Sequence, residues 1–307
     1  KDIDALFVAN MLSGILGGQE NLGALFSDEL RAFDAPAFKI EGACASGGLA
    51  VHNAVNSVLA GVYQRVLVLG IEKMTDHNPG EIVQALMSAG HDEERAGGAS
   101  FTGLYALLAR AHMEKYQTTQ EQMASVSVKN HHHASLNPKA QFQNEITIDQ
   151  VMRSSLVADP LKLLDCSPVS DGAAAVIIAK SKRKNEKRKD VNIIASSVAT
   201  DTLGLRDRKD LTTLQAAVKA AKKAYQQAGI KPSEVGVAEV HDCFSIAEII
   251  AMEDLGFFKK GEAAKAIEQG RTTLGKGRLI VNPSGGLKAC GHPVGATGVK
   301  QICEIVT

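Results

Sequence analysis

The chain lacks an excess of either charge. Lysine and arginine number 34, aspartate and glutamate 34, so there is no basic footprint for a nucleic acid. It lacks any uninterrupted apolar run of about 18 residues or more, and with it any visible membrane span. It lacks a recognisable secretory leader at Lys1, and since the sequence does not open on Met, a removed leader stays open. It lacks a paired cysteine framework: the five cysteines, at 44, 166, 243, 290 and 303, are odd in number and form no CxxC-type zinc site. Such usage suits a reducing compartment better than a secreted scaffold. Tryptophan is absent, and that absence decides nothing. Apolar residues are plentiful. A hydrophobic fraction of 45% is ample for a core and argues against disorder, and the length suits about two domains.

One cysteine stands in a turn of small residues, Gly42-Ala43-Cys44-Ala45-Ser46-Gly47-Gly48. The apolar stretch Ala37 to Ile40 leads into it, and a helical pattern from Leu49 to Ala60 leads out. A strand that turns into a helix at a cysteine sets the sulfur beside free backbone N–H groups. Those groups and the helix dipole favour thiolate, the nucleophilic form. The elbow thus suggests covalent acyl transfer. Free cysteine is also commonly buried, so on this segment alone a structural Cys44 is an equal alternative.

Two further segments shift the balance. Asn282-Pro283-Ser284-Gly285-Gly286 runs through Leu287-Lys288-Ala289-Cys290 into Gly291-His292-Pro293-Val294-Gly295-Ala296-Thr297-Gly298, with a helical run after it. A histidine held between Gly291 and Pro293 has the chemistry to take a proton from Cys44 and to donate a hydrogen bond to a developing oxyanion. The third segment, Glu239-Val240-His241-Asp242-Cys243-Phe244-Ser245, follows the apolar run Val235 to Val240 and precedes a helix pattern from Ile246 to Ala251. Ends of strands in α/β sheets are where ligands bind. Cysteine, His-Cys and histidine at separate strand ends are poorly explained as independent packing accidents.

Taken together these motifs resemble the thiolase superfamily, most closely the sterol-carrier-protein-type thiolases and the archaeal and bacterial acetoacetyl-CoA thiolases. Gly70-Ile71-Glu72-Lys73-Met74 and Asp165-Cys166-Ser167-Pro168-Val169-Ser170-Asp171-Gly172 agree with the same pattern. The resemblance spans nearly the whole chain. It implies an α/β thiolase fold: two similar βαβαβ-type halves stacked as a five-layered αβαβα core, with a mainly helical loop domain inserted in the first half. It also implies a chain truncated at both ends. Members open with a strand and helix before the region of Lys1 and continue past Thr307 into a glycine-rich turn that contributes to an oxyanion hole.

The expected organisation is an N-terminal half over 1–180, carrying the insertion at about 76–168, and an incomplete C-terminal half over 191–307. Strands are predicted at Ala5–Ala9, Ala37–Ile40, Arg65–Leu69 and Ala173–Ala179, as short continuous apolar runs of the kind found in sheets covered on both faces. Helices are predicted at Phe101–Tyr116 and Thr119–Ala134, the latter opened by a Thr119/Gln122 capping box. In the second half, Val191–Val198 is followed by a helix over Leu211–Gly229 ending at a Gly229 cap, then by strands at Val235–Val240 and Arg278–Val281. The charged run Ser181–Asp190 reads as a solvated linker, with coenzyme A phosphates as its minor alternative partner.

By resemblance, Cys44 is the nucleophile. His292 takes its proton and later stabilises the acceptor's enolate oxygen. Cys243 is the acid/base acting on the acceptor's α-carbon, and His241 holds a water in an oxyanion hole. Coenzyme A and acyl-CoA are substrates, no cofactor or metal is expected, and the cofactor-binding residues are unassigned. Implied partners are a second copy or three, as homodimer or homotetramer, together with hydroxymethylglutaryl-CoA synthase and a zinc-ribbon/OB-fold protein. The expected location is cytoplasmic, with an organelle as alternative. Acyl chain length and direction, degradative or biosynthetic, are not legible. Cys166, Cys290 and Cys303 read as packing residues. His131-His132-His133 reads as part of a half-exposed helix rather than a metal site, since consecutive helical positions diverge. Asp76, His77 and Asn78 follow a strand end with no fixed role. Two rival readings stay open: a ketoacyl-synthase-like condensing enzyme, which needs no second cysteine such as Cys243, and a non-catalytic acyl-CoA-binding subunit.

Overall fold

The computed structural model describes residues 3–32, 34–181 and 191–307. The linker reading of Ser181–Asp190 therefore falls, from residue 182 onward, outside the described residues. The chain forms two compact units. One comprises Lys1–Ala85, Ser170–Val198 and Pro293–Thr307, the other Leu86–Val169 and Ala199–His292.

The first unit is built on a four-stranded sheet. In spatial order its strands are Ala37–Ile40, Ala5–Ala9, Arg65–Glu72 and Gly172–Ala179. The first three run parallel and the last is antiparallel to Arg65–Glu72. All four predicted strands form. Only Ala5–Ala9 is buried along its whole length, whereas Arg65–Glu72 and most of Gly172–Ala179 alternate between more and less covered positions. A strand flanked on both sides and covered on both faces needs an unbroken apolar run, and one with a thinly covered face does not. The helix Ser46–Leu59 buries Ala50, Val51, Ala54, Val55 and Val58 against this sheet, joined by Val299 of the helix Thr297–Val306. Spacings of three and four residues put those side chains on one helical face. Residues 191–200 carry no helix or strand.

The second unit is mainly helical. Phe101–Tyr116 and Gln120–Ser135 are helices as predicted, and the Thr119/Gln122 capping box is present in both directions. The helix Ser245–Asp254 runs through the core with Ile246, Ile249, Ile250 and Met252 inaccessible to solvent. The helix predicted from Leu211 begins at Gln215 instead. Before it, Asp254 takes the Leu214 N–H, which a helix begun at Leu211 would turn to the Asp210 carbonyl, and the Thr213 N–H closes a turn on that carbonyl instead. Its end at Gly229 is as predicted: φ is 70° and the N–H donates to the Tyr225 carbonyl. The two predicted strands shrink to a parallel pair, Val237–Ala238 beside Ile280–Val281. The ladder stops where the Asn282 side chain takes the Val240 N–H.

Candidate active site

In the first unit, strand Ala37–Ile40 ends at Glu41, and the chain tightens into a 3₁₀ turn over Ala43–Ala45 before helix Ser46–Leu59. Cys44 is the middle residue of that turn. Ala43 takes φ of 52°, which needs support in a residue with a side chain. The Ser46 hydroxyl supplies it, accepting the Gly42 N–H at 2.9 Å and donating to the Ala43 carbonyl at 2.6 Å. The helix behind Cys44 is crossed at its first turn by the start of helix Thr297–Val306. A Cβ on Gly47 would stand 2.7 Å from the Val299 nitrogen, and one on Gly298 would strike the Gly48 nitrogen. Only glycine lets two backbones meet there.

Cys44 keeps partial accessibility, yet burial of the thiol pushes its pKa up to about 12. Its own backbone N–H pulls in the opposite direction, and the Glu72 carboxylate adds to the rise. The sequence expectation of a favoured thiolate is thus not met at rest, because loss of hydration outweighs the turn's N–H groups. Glu72 itself is buried and raised by that burial, against hydrogen bonds from the Met11, Leu12 and Gly295 N–H groups and the Asn10 amide. Through them it fastens the strand end at Glu72 to the loop after Ala9 and to the glycine of Pro293-Val294-Gly295.

In the second unit, His241, Cys243 and His292 are drawn together by two segments. The Cys243 carbonyl accepts the Ser167 N–H at 2.9 Å, and Phe244 bridges Cys166 and lies tilted against Tyr105, ring centroids 4.7 Å apart. Cys243 is buried. His292, reached through Gly291 at φ of 108°, bridges Val169. The imidazoles of His241 and His292 meet with centroids 5.0 Å apart. Burial lowers His241 to a pKa of about 4, so it is neutral at neutral pH.

Beneath these residues lies a buried polar network that the sequence reading missed. Lys129 pairs with Glu248 at 2.7 Å and donates to the Val281 carbonyl. The Asn130 amide donates to both Asp242 and Glu248. The Asn282 amide donates to Glu248 while its oxygen takes the Val240 N–H. Lys288 donates to the Asp165 carbonyl. The available signal was a carboxylate in an apolar helix, Glu248 between Ala247 and Ile249, and a Lys-Asn pair inside another; both break the hydrophobic face.

The remaining candidates have structural places. Cys166 donates to the Lys162 carbonyl, and burial pushes it up to about 11. Cys290 lies beside Ala134, Ala140 and Ala289, with Asn137 3.8 Å from its sulfur. Cys303 is only partly buried and packs against the first unit's core. Of the three histidines, only His132 is half-exposed. His131 and His133 are buried, so the helix is more enclosed than expected. Leu274 N–H donates to His133 Nε2, which makes Nδ1 the donor to the Asn282 carbonyl. Asp76 pairs with Lys73, His77 faces Glu81, and Asn78 bonds the Glu81 N–H.

The class is fixed first by shape. The structure superposes on the Ltp2–ChsH2(DUF35) aldolase with a TM-score of 0.78 at 24% identity, covering 99% of this chain and 78% of that one. It superposes on an acetyl-CoA acetyltransferase from Syntrophomonas wolfei with a TM-score of 0.69 at 17% identity, covering 98% and 80%. The fold is the thiolase fold. The sequence then fixes the family. The model described as "Thiolase, N-terminal domain" matches residues 1–182, and "Thiolase C-terminal domain-like" matches 197–307. The chain belongs to the thiolase family, and its activity is thiolase acyl transfer. It is 47% identical to the acetyl-CoA acetyltransferase of Methanothermobacter thermautotrophicus, over 99% of this chain and 79% of the relative. Sterol carrier protein 2 of Bos taurus is 35% identical over 88% of this chain and 52% of that protein.

Proposed function

We propose that this thiolase interconverts acetoacetyl-CoA plus coenzyme A and two molecules of acetyl-CoA. The similarity to archaeal acetyl-CoA acetyltransferases supports the substrate. The observation that carries the residue roles is the contact of His241 with His292, one residue from Cys243's neighbour Asp242. In the condensing direction, His292 takes the Cys44 proton. The thiolate attacks the thioester carbon, and coenzyme A leaves as a thiolate that receives that proton. A Cys44 thiol held at about 12 has need of such a base. Cys243, as thiolate, then takes the α-proton of a second acetyl-CoA, and the enolate oxygen is stabilised by an N–H of His292. The enolate carbon attacks the acyl carbon, and the Cys44 sulfur leaves as a thiolate that recovers the proton Cys243 had taken. A neutral His241 suits the binding of a water that donates to the first oxyanion, and the Cys44 N–H suits the second. Cys243 speaks against a decarboxylating ketoacyl synthase, which has no α-proton to remove.

The same reading extends to coenzyme A and acyl-CoA as substrates without a cofactor, to a homodimer or homotetramer, and to a cytoplasmic location. It extends also to a shared assembly with hydroxymethylglutaryl-CoA synthase and a zinc-ribbon/OB-fold protein in isoprenoid-precursor or other lipid metabolism. The test follows acetoacetyl-CoA cleavage with added coenzyme A in the full-length protein, Cys44→Ala and Cys243→Ala. Turnover in the wild type, lost in both variants, supports the reading. Acylated Cys44 without turnover points to a synthase with another acceptor. Neither signal leaves a non-catalytic acyl-CoA-binding protein.

A further inference from the structure

Asp242 stands between His241 and Cys243, and it is fully buried. Its carboxylate accepts the Leu287 N–H at 2.7 Å, the Lys288 N–H at 3.3 Å and the Asn130 amide at 2.6 Å. Leu287 and Lys288 form the first turn of the short helix Gly286–Cys290, whose exit is Gly291 and then His292. A Cβ on Gly286 would collide with the carboxylate, so the helix approaches Asp242 as closely as backbone allows. The same two segments are tied a second time through Asn282, which binds Glu248 and the Val240 N–H. Two carboxylates and two ammonium groups, Asp242, Glu248, Lys129 and Lys288, are buried here. Burying ions is costly, and well-packed apolar residues often give equal stability. What such a network supplies in other proteins is a fixed geometry between the segments it ties.

We propose that Asp242 is a positioning residue: its hydrogen bonds to Leu287 and Lys288 hold the Gly291–His292 exit against His241 and Cys243, and so set the distance between the two imidazoles. Its kinetic consequence rests on the thiolase reading above, and its structural consequence does not. Asp242→Asn is nearly isosteric but replaces one accepting oxygen with an NH₂ group. One carboxylate oxygen takes the Leu287 N–H and the other takes the Lys288 N–H with the Asn130 amide, so the NH₂ group faces a backbone N–H whichever way it turns and at least one of the three bonds is lost.

The experiment uses the full-length enzyme, acetoacetyl-CoA thiolysis, and ring-nitrogen NMR of ¹⁵N-histidine-labelled protein. In Asp242→Asn, kcat falls about 10²-fold, as for a misplacement of about 1 Å, while KM stays within about twofold. The ring signals of His241 and His292 shift or split, while those of His112, bound to Glu253 and Thr118 elsewhere in the unit, stay in place. Asn130→Ala, which leaves the helix bonds intact, moves the two rings less than Asp242→Asn does. Unmoved His241 and His292 signals in Asp242→Asn overturn the proposal. So does a loss of kcat that only follows the loss of folded protein, or an Asn130→Ala effect as large as that of Asp242→Asn. If the wild type shows no thiolysis, the thiolase reading fails and the ring signals still decide the positioning role. Should Asp242→Asn not fold, Asp242→Ser withdraws the acceptor from the Leu287 and Lys288 N–H groups without adding bulk, and the same signals are read.

Discussion

The imidazole of His241 meets that of His292 edge to face, with centroids 5.0 Å apart and planes at 79°. Two imidazolium ions at that distance would repel. Burial resolves the conflict by holding His241 at a pKa of about 4, which leaves a neutral ring beside His292. In the proposed mechanism the two histidines therefore divide the work: His292 moves protons, and His241 offers a dipole.

That division makes His241 replaceable by another neutral hydrogen-bonding side chain. His241→Asn is expected to keep kcat within about tenfold of wild type, whereas His241→Ala loses about 10²-fold or more, the scale of a missing oxyanion donor. Steady-state kinetics at pH 7 check this. Equal losses in the two variants would assign His241 a proton-transfer role instead.

Cys243 is expected to serve the second half-reaction alone. In Cys243→Ala, mass spectrometry should still find the acyl group on Cys44 after addition of acetyl-CoA. Turnover should fall by about 10²–10⁴-fold, the usual range for a missing acid/base. Failure of acylation in this variant would show that Cys243 acts on the first step.

The Glu72 carboxylate raises the Cys44 pKa by its charge, after burial. Glu72→Gln removes the charge and keeps the shape, so the Cys44 pKa should fall. The rise of iodoacetamide alkylation rate with pH should then move to lower pH than in wild type. An unchanged profile would mean that Glu72 acts only through its hydrogen bonds to Met11, Leu12 and Gly295.

Much of this was legible because local rules carried it. The strand at Ala5–Ala9, the capping box at Thr119 and Gln122, and the cap at Gly229 each depend on a few adjacent residues. Cys44 and His292 stood out as candidates through small-residue turns, and His241 and Cys243 through the end of an expected strand. What escaped depends on partners far along the chain. Glu248 meets Lys129 and Asn282, and Asp242 meets Leu287; no window of sequence contains those pairs. The Cys44 pKa escaped for the same reason, since the turn predicts the helix dipole while burial is set by the surrounding packing. The late start of the helix at Gln215 reflects a turn held partly by Asp254, again from a distant segment.

His133 links the helix Gln120–Ser135 to the Asn282 carbonyl and the Leu274 N–H, and its pKa is lowered to about 4, mainly by burial. The unfolded chain takes up the proton below pH 6.5, the folded one only near 4. Its contribution to stability is thus complete above pH 6.5 and declines as pH falls towards 4, in total about 3 kcal/mol. His133→Gln has no such dependence. Urea titrations should find the variant less stable at pH 7 and the gap narrowing by that order at pH 4. A gap that is constant with pH would show that His133 titrates normally in the folded state.

The crossing at Gly47 and Gly298 has a mechanical meaning. Two helices whose backbones touch at their first turns have no side chains between them to absorb a displacement. A shift in the first turn of helix Thr297–Val306 would therefore press directly on the helix that begins just after Cys44. The sulfur's aim is thereby set as much by the last residues of the first unit as by the elbow in which it sits.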